Sequence, residues 1–296
     1  MSPSIHDQLA VELAGAAGVV MLIGGLDSGK TTLALAILQA AVERGREAAY
    51  VDADVGNTTV GPPACVGLKR VRSPADLEAL ERADRLHFVG SITPDRLVLQ
   101  QVVATATLAH AARRYADLVV LDTTAAVSGV AGETLKYHKM ELCRPDRVVA
   151  LQRGSEMEPV VGMLRRFFGV EVTVAPVDPA VAPASPEQRA AHRAERLSAA
   201  FAPPLERWRV RPTVFAPTLP TGLNLERLDG MVVGVQDGTG RCLGLGRLEN
   251  EDQVLRVLTN SGEGMQGLRL GSLRLDLATW ETRQVNLREV MFGLAG

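Results

Sequence analysis

Short runs of consecutive apolar residues alternate with longer segments of helical period from Met1 to about Val177, the pattern of βα units around a mostly parallel sheet. Strands are expected at Val19–Gly24, Ala48–Asp52, Leu86–Gly90, Leu118–Asp122, Val148–Gln152 and Val170–Pro176. Helices are expected at Lys30–Arg44, Pro94–Arg114, Glu133–Leu142 and Glu156–Phe168. From Pro183 to Phe201 a polar, arginine-rich stretch reads as a further helix, and a proline-rich connector runs from Pro203 to Pro220. Beyond Gly222 the helical period gives way to glycine-punctuated short runs, with Leu273, Leu275 and Leu277 alternating against Arg274 and Asp276. The expected organisation is an α/β domain over residues 1–215, its mostly parallel sheet flanked by helices, and a smaller C-terminal all-β domain over 216–296.

A hydrophobic content of 46% over 296 residues supplies a substantial core. The net charge of -2 excludes a protein that holds a long polyanion by its overall field, so any nucleic-acid contact has to be local. The positive charge is very unevenly divided, because only Lys30, Lys69, Lys136 and Lys139 are lysines and the rest are arginines. That bias reads as coding preference, yet it draws attention to each lysine. Cys65, Cys143 and Cys242 are odd in number and far apart, which fits buried thiols rather than a disulfide framework or a zinc site. The apolar run Val19–Ile23 is too short to span a bilayer and no basic segment precedes it, so no membrane is expected and the location is expected to be cytoplasmic.

Candidate chemistry begins at Gly24-Gly25-Leu26-Asp27-Ser28-Gly29-Lys30-Thr31, which fits G-x-x-x-x-G-K-[ST] between an apolar strand and an alanine- and leucine-rich helix. Small residues let such a loop wrap a phosphate with backbone N–H groups, while the helix N-terminus adds its positive end. Lys30 is placed to reach the β- and γ-phosphates and the Thr31 hydroxyl to ligate magnesium. Two further strands end in acids. Asp52 and Asp54 close the strand Ala48–Asp52, and Asp122 closes the apolar run Leu118–Leu121 in the manner of a Walker B strand. All three would emerge at the sheet edge where the loop opens. Phosphoryl transfer needs a base for the attacking hydroxyl and acids for the metal; Asp54 is the candidate base, with Asp52 and Asp122 supporting magnesium directly or through water.

Joined in order, GGLDSGKTT, YVDADVGNTTVGPP and LVVLDTTAAVSGVAGETLKYHKMELCRPDRVVALQR resemble the polynucleotide 5′-hydroxyl kinase family. That family includes kinases of messenger-RNA 3′-end, transfer-RNA and ribosomal-RNA processing and simpler archaeal enzymes. The resemblance runs from about residue 19 to 275. It implies a P-loop NTPase fold, ATP and Mg2+ as cofactors, and transfer of the γ-phosphate to a 5′-hydroxyl end of RNA or DNA. It also assigns Gly24, Gly25, Leu26, Asp27, Ser28, Gly29, Lys30, Thr31, Thr32 and Arg153 to the nucleotide. Ser185-Pro186-Glu187-Gln188-Arg189-Ala190-Ala191-His192-Arg193 resembles the lid of these kinases, set at about 181–201, so that Arg189 and Arg193 would present two guanidiniums to the transferring phosphoryl group. Residues 185–211 hold six Arg against three Glu, a local excess hidden by the whole-chain charge.

Two departures from the family pattern stand out. Asn57 replaces the usual Gln after D-x-D-x-G, and Thr124-Ala125-Ala126 stands where many relatives carry a Thr-Gly-Trp clasp. The P-loop lies close to the start of the chain, so a compact form without a separate N-terminal β domain is expected. The alternatives are an ATP-binding interaction protein in RNA processing with weakened catalysis, or a P-loop small-molecule kinase or GTPase. The last lacks an N/TKxD guanine-recognition element. No protein partner is specified by the sequence.

Overall fold

The computed structural model describes residues 4–251 and 254–293. Along the chain the first elements are α1 (Ile5–Ala14), β1 (Gly18–Gly24), α2 (Lys30–Glu43), β2 (Ala48–Ala53), β3 (Cys65–Val71), α3 (Pro74–Glu78) and β4 (Arg85–Phe88). There follow α4 (Val98–Ala112), β5 (Leu118–Thr123), α5 (Gly129–Cys143), β6 (Arg147–Gln152), α6 (Glu158–Phe168), β7 (Glu171–Pro176) and α7 (Pro186–Ala200). The chain ends with β8 (Glu206–Arg209), β9 (Met231–Gln236), β10 (Cys242–Glu251), β11 (Val254–Thr259), β12 (Gly267–Leu275), β13 (Thr282–Gln284) and α8 (Leu287–Phe292).

The parallel core has the order β2-β5-β1-β6-β7. Its central strand shows why the expected apolar runs form it. Val19, Met21 and Ile23 face one buried cluster with α4, α5 and α6, whereas Val20 and Leu22 face the other with α1 and α2. A strand covered by helices on both faces has no solvent side, so its sequence is continuously apolar. Helix α2 buries Leu33, Ala34, Ile37, Leu38 and Ala41 along one stripe, the spacing of a core-facing helix.

The structure adds α1, β3, α3 and β8 to the expected elements, and α8 to the part expected to be all-β. β3 runs antiparallel to β2, and β4 antiparallel to β3, so the sheet turns from parallel to antiparallel at this edge. Gly67 inside β3 is required because a Cβ there would stand 2.3 Å from the Val60 carbonyl oxygen. The glycine breaks the apolar run that would otherwise mark the strand. Helix α4 begins at Val98 rather than at Pro94, with Leu97 in the left-handed region as its N-cap.

The C-terminal strands are antiparallel and belong to the same hydrogen-bonded sheet. Cys242 of β10 pairs with Leu86 of β4, and the order continues β10-β9-β12-β13, with β11 and β8 branching from β10. β8 precedes residue 216 but pairs with β11, and Phe215 bridges Leu268. All three cysteines are free and buried, as the sequence implied. Among the described residues no helix is long and apolar enough to cross a membrane.

Candidate functional site

The loop between β1 and α2 is shaped by its small residues. At Gly24 a Cβ would lie 2.5 Å from Ser28 Oγ and 2.8 Å from the Leu151 carbonyl oxygen, so a side chain has no room. Gly29 takes φ +84 as N-cap of α2, and Asp27 takes φ 52, a conformation its short polar side chain tolerates. Lys30 Nζ folds into this loop and donates to the Gly24 and Gly25 carbonyls at 2.9 and 2.8 Å and to Ser28 Oγ at 3.3 Å. Burial draws the Lys30 pKa down, while Asp122, Asp54 and Asp27 push it back up. The result is a nest of N–H groups with an ammonium at its base, a site built for an anion.

Asp122 is the penultimate residue of β5, which lies beside β1 and brings it to the loop. Its Oδ2 accepts from Thr31 Oγ1 at 2.6 Å and from Tyr50 OH at 3.1 Å. Oδ1 is buried and has no hydrogen-bond partner. Burial raises the Asp122 pKa, with Lys30 and the Thr31 hydroxyl opposing. Magnesium fits this donor set, since the ion takes oxygen ligands and completes its shell with phosphates and water rather than with an all-protein cage. Among the described residues no group of three or more His, Cys, Asp or Glu is placed to hold a metal ion by itself.

Asp52 sits opposite Asp122 in the β2–β5 register but is occupied differently. Its Oδ1 accepts from Asp54 N at 3.0 Å, and its Oδ2 from the backbone N–H groups of Thr59 and Val60. The carboxyl therefore fastens the loop over 54–60, and burial pushes its pKa up to about 8. Both of its oxygens already accept backbone hydrogen bonds, whereas the expectation gave it a part in supporting magnesium directly or through water. Asp54 is only partly buried. Its Oδ1 accepts from Gly56 N at 3.1 Å and Asn57 N at 3.3 Å, and Oδ2 has no partner among the described residues.

Helix α7 crosses this edge. It starts with a capping box in which Ser185 Oγ accepts from Gln188 N and Ser185 N donates to Gln188 Oε1, with Pro186 at the first turn. Arg189 is ion-paired to Asp27 at 3.1 Å. His192 Nε2 donates to the Thr58 carbonyl at 3.1 Å, and Arg196 Nη2 to the carbonyls of Thr59, Gly61 and Glu81 at 3.2, 2.8 and 3.2 Å. Arg193 is half-buried and makes no hydrogen bond or ion pair among the described residues. From the far side of the loop, Arg153 donates to the carbonyls of Leu26 and Asp27. Leu26 and Thr32 are exposed and Gly25 half-buried at the loop's outer face.

Sequence reasoning missed several members of the site. Tyr50 reaches Asp122 from within a strand that reads as core. Lys136, fully buried on α5, donates to the Thr124 carbonyl at 2.8 Å and so ties α5 to the segment after the Walker B strand. Lys139, also fully buried, has no hydrogen-bond partner. Burial pulls its pKa to about 8, opposed by Cys143 and by the charges of Asp54, Asp52 and Asp122. The scarcity of lysine had drawn attention to both without giving them a role: all four in the chain are buried.

The architecture matches that of wild-type Clp1p from its complex with Pcf11p, with a TM-score of 0.68 at 14% identity over 91% of this chain and 78% of that one. In sequence, a polyribonucleotide 5′-hydroxyl-kinase of Pyrococcus furiosus is 37% identical over 146 residues, 48% of this chain and 40% of the relative. One from Methanocaldococcus jannaschii is 33% identical over 142 residues, 48% and 39% of the two chains. Xenopus tropicalis Clp1, named as the same kind of kinase, is 27% identical over 267 residues, 87% of this chain and 59% of the relative. The matches thus span about two fifths of the archaeal relatives' length. The family model of the mRNA cleavage and polyadenylation factor CLP1 P-loop matches residues 24–202, which takes in the phosphate loop, all three acids and helix α7. With more than half of its length under that model, the chain belongs to the CLP1 P-loop family.

Proposed function

We propose that the protein is an ATP-dependent polynucleotide 5′-hydroxyl kinase, transferring the γ-phosphate of ATP to the 5′-OH of RNA, DNA or both. The observation that carries this reading is the meeting, at one sheet edge, of the phosphate loop, Asp122 with its unpartnered Oδ1, Asp54 with its open Oδ2, and the arginines of α7. Relatives named polyribonucleotide 5′-hydroxyl-kinases support the choice of acceptor. The division at 215/216, with a lid over 181–201, and a cytoplasmic location belong to the same proposal.

The chain's own groups account for each part of the reaction. Loop N–H groups hold the phosphates, and Lys30 exchanges the Gly24 and Gly25 carbonyls for phosphate oxygens. Thr31 and Asp122 would hold magnesium, which when bound neutralises phosphate charge. Asp54 takes the proton of the attacking 5′-hydroxyl. As the new O5′–P bond forms, the bond from the γ-phosphorus to its bridging oxygen breaks, and ADP leaves with the electron pair. Arg189 exchanges Asp27 for the transferring group, and Arg193, already free of partners, adds a second guanidinium against the developing charge.

The test is incubation with magnesium, γ-labelled ATP and 5′-hydroxyl RNA and DNA oligonucleotides in parallel, with Lys30→Ala as control. Label at the 5′ end that Lys30→Ala abolishes is the expected result. No transfer to either polymer from protein that binds ATP overturns the reading.

A further inference from the structure

A side chain of the C-terminal antiparallel strands reaches the turn that follows β4, beside the catalytic edge. Gln284, in β13, donates from Nε2 to Ser91 Oγ at 2.9 Å and to Thr93 Oγ1 at 2.8 Å, across 193 and 191 residues of sequence. Its Oε1 lies 3.3 Å from Ser272 Oγ in β12, whose one hydroxyl proton is shared between this oxygen and the Gly90 carbonyl. Ser91 is fully buried, and its Oγ also accepts from Thr93 N and donates to the Thr93 carbonyl, both at 3.1 Å. The amide of Gln284 thus bridges two C-terminal strands and the tight turn that follows β4.

The same turn is clamped on its N-terminal side. Ser272 donates to the Gly90 carbonyl from N at 2.7 Å and from Oγ at 3.0 Å. Gly90 has φ +89, and a Cβ on it would stand 2.8 Å from Gly271 Cα, so backbone meets backbone at this seam. Beyond the clamp, the Ile92 carbonyl oxygen lies 2.6 Å from where a Gly56 Cβ would be. Gly56 N is the group that donates to Asp54 Oδ1 at 3.1 Å. A continuous series of contacts therefore leads from Gln284 through Ser91 and Thr93 to Ile92, then to Gly56 and Asp54.

The turn 91–97 contains no helix or strand, so side-chain anchors set its position. Phosphoryl transfer is sensitive to displacements of the base of less than an ångström. We infer that Gln284 is a positioning residue for phosphoryl transfer: by holding Ser91 and Thr93 it keeps the Ile92 carbonyl against Gly56 and fixes where Asp54 meets the acceptor hydroxyl. This gives the C-terminal strands a part in catalysis, and it rests on the kinase reading above.

Gln284→Leu keeps the volume and removes the amide; Thr93→Val removes one of its two acceptors and is the milder variant should Gln284→Leu fail to fold. For the full-length chain, two rates are compared: transfer to a 5′-hydroxyl oligonucleotide and hydrolysis of ATP to water. Loss of folded protein lowers both rates equally and leaves their ratio alone. The expected result is a ratio of transfer to hydrolysis lowered about fivefold or more, with KM for ATP unchanged. Hydrogen exchange at the amides of 91–97 should quicken while that of α2 does not. An unchanged ratio, with wild-type protein that labels the oligonucleotide, overturns the positioning role and leaves the kinase reading intact. A wild-type protein that labels nothing overturns both.

Discussion

Arg189 of α7 grips Asp27 of the phosphate loop, Nη1 to Oδ2 at 3.1 Å, across 162 residues of sequence. The guanidinium proposed for the transferring phosphate is thus held by the loop that binds the phosphates. Both side chains are about one-fifth exposed, so the pair is worth no more than about 1 kcal/mol after solvent screening. Asp27→Asn should loosen the first half of α7 while His192 and Arg196 keep the second half docked. Hydrogen exchange is expected to rise over 185–190 and stay unchanged over 194–200; uniform behaviour along the helix would show that the pair does not hold α7.

Asp122→Asn keeps the shape of the side chain but removes the charge that faces Thr31 and leaves one position as an amide. Nucleotide affinity measured with magnesium should fall about tenfold or more, whereas affinity measured with EDTA should change little. Calorimetry under the two conditions separates a metal ligand from a group that merely shapes the loop.

Lys139 makes a pH prediction. Its folded pKa of about 8 lies below the ordinary lysine value, because burial penalises the charged form. Folding therefore favours the neutral amine. The penalty is fully present below the folded pKa and fades as pH rises toward the unfolded value, so wild-type stability from this group is lost as pH falls through 8. Lys139→Met lacks the penalty and should be more stable than wild type at pH 7, by up to about 3 kcal/mol, with the advantage shrinking between pH 8 and 10. Denaturant midpoints at pH 7 and 9.5 test this; an advantage that does not change with pH would mean that packing, not charge, is the cause.

Gly56→Ala places a methyl group 2.6 Å from the Ile92 carbonyl oxygen, backbone that cannot rotate away. The turn or the Asp54 loop has to shift. Transfer to the acceptor should fall about tenfold while ATP binding, on the other side of the site, persists. Steady-state kinetics beside ATP titration checks the split.

The phosphate loop and the Asp122 strand were legible because each is a local pattern, a loop and its adjoining strand or helix that carry their chemistry in consecutive residues. The surroundings of Asp52 were hidden for the opposite reason. Nothing in Tyr50-Val51-Asp52-Ala53-Asp54 tells that the backbone of Thr59 and Val60 curls back to occupy one carboxylate and leave the other open. The docking of His192 and Arg196 was equally hidden, since their partners are main-chain carbonyls of a loop 134 to 137 residues away, which has no side-chain signature. β3 escaped because Gly67 interrupts its apolar run for the sake of the Val60 carbonyl. The junction of β10 with β4 was invisible too: a glycine-rich antiparallel run reads as its own domain until a neighbouring sheet edge is seen to accept it.

Because every lysine is buried, the protein meets solvent with its positive side chains entirely as guanidinium groups. Amine-directed reagents meet no more than a small part of Lys30 and Lys69 and nothing of Lys136 and Lys139 on the folded surface. Acylation of Lys136 or Lys139, both fully buried, requires α5 to leave the sheet, so modification at these two positions becomes a chemical clock for opening of the α/β core.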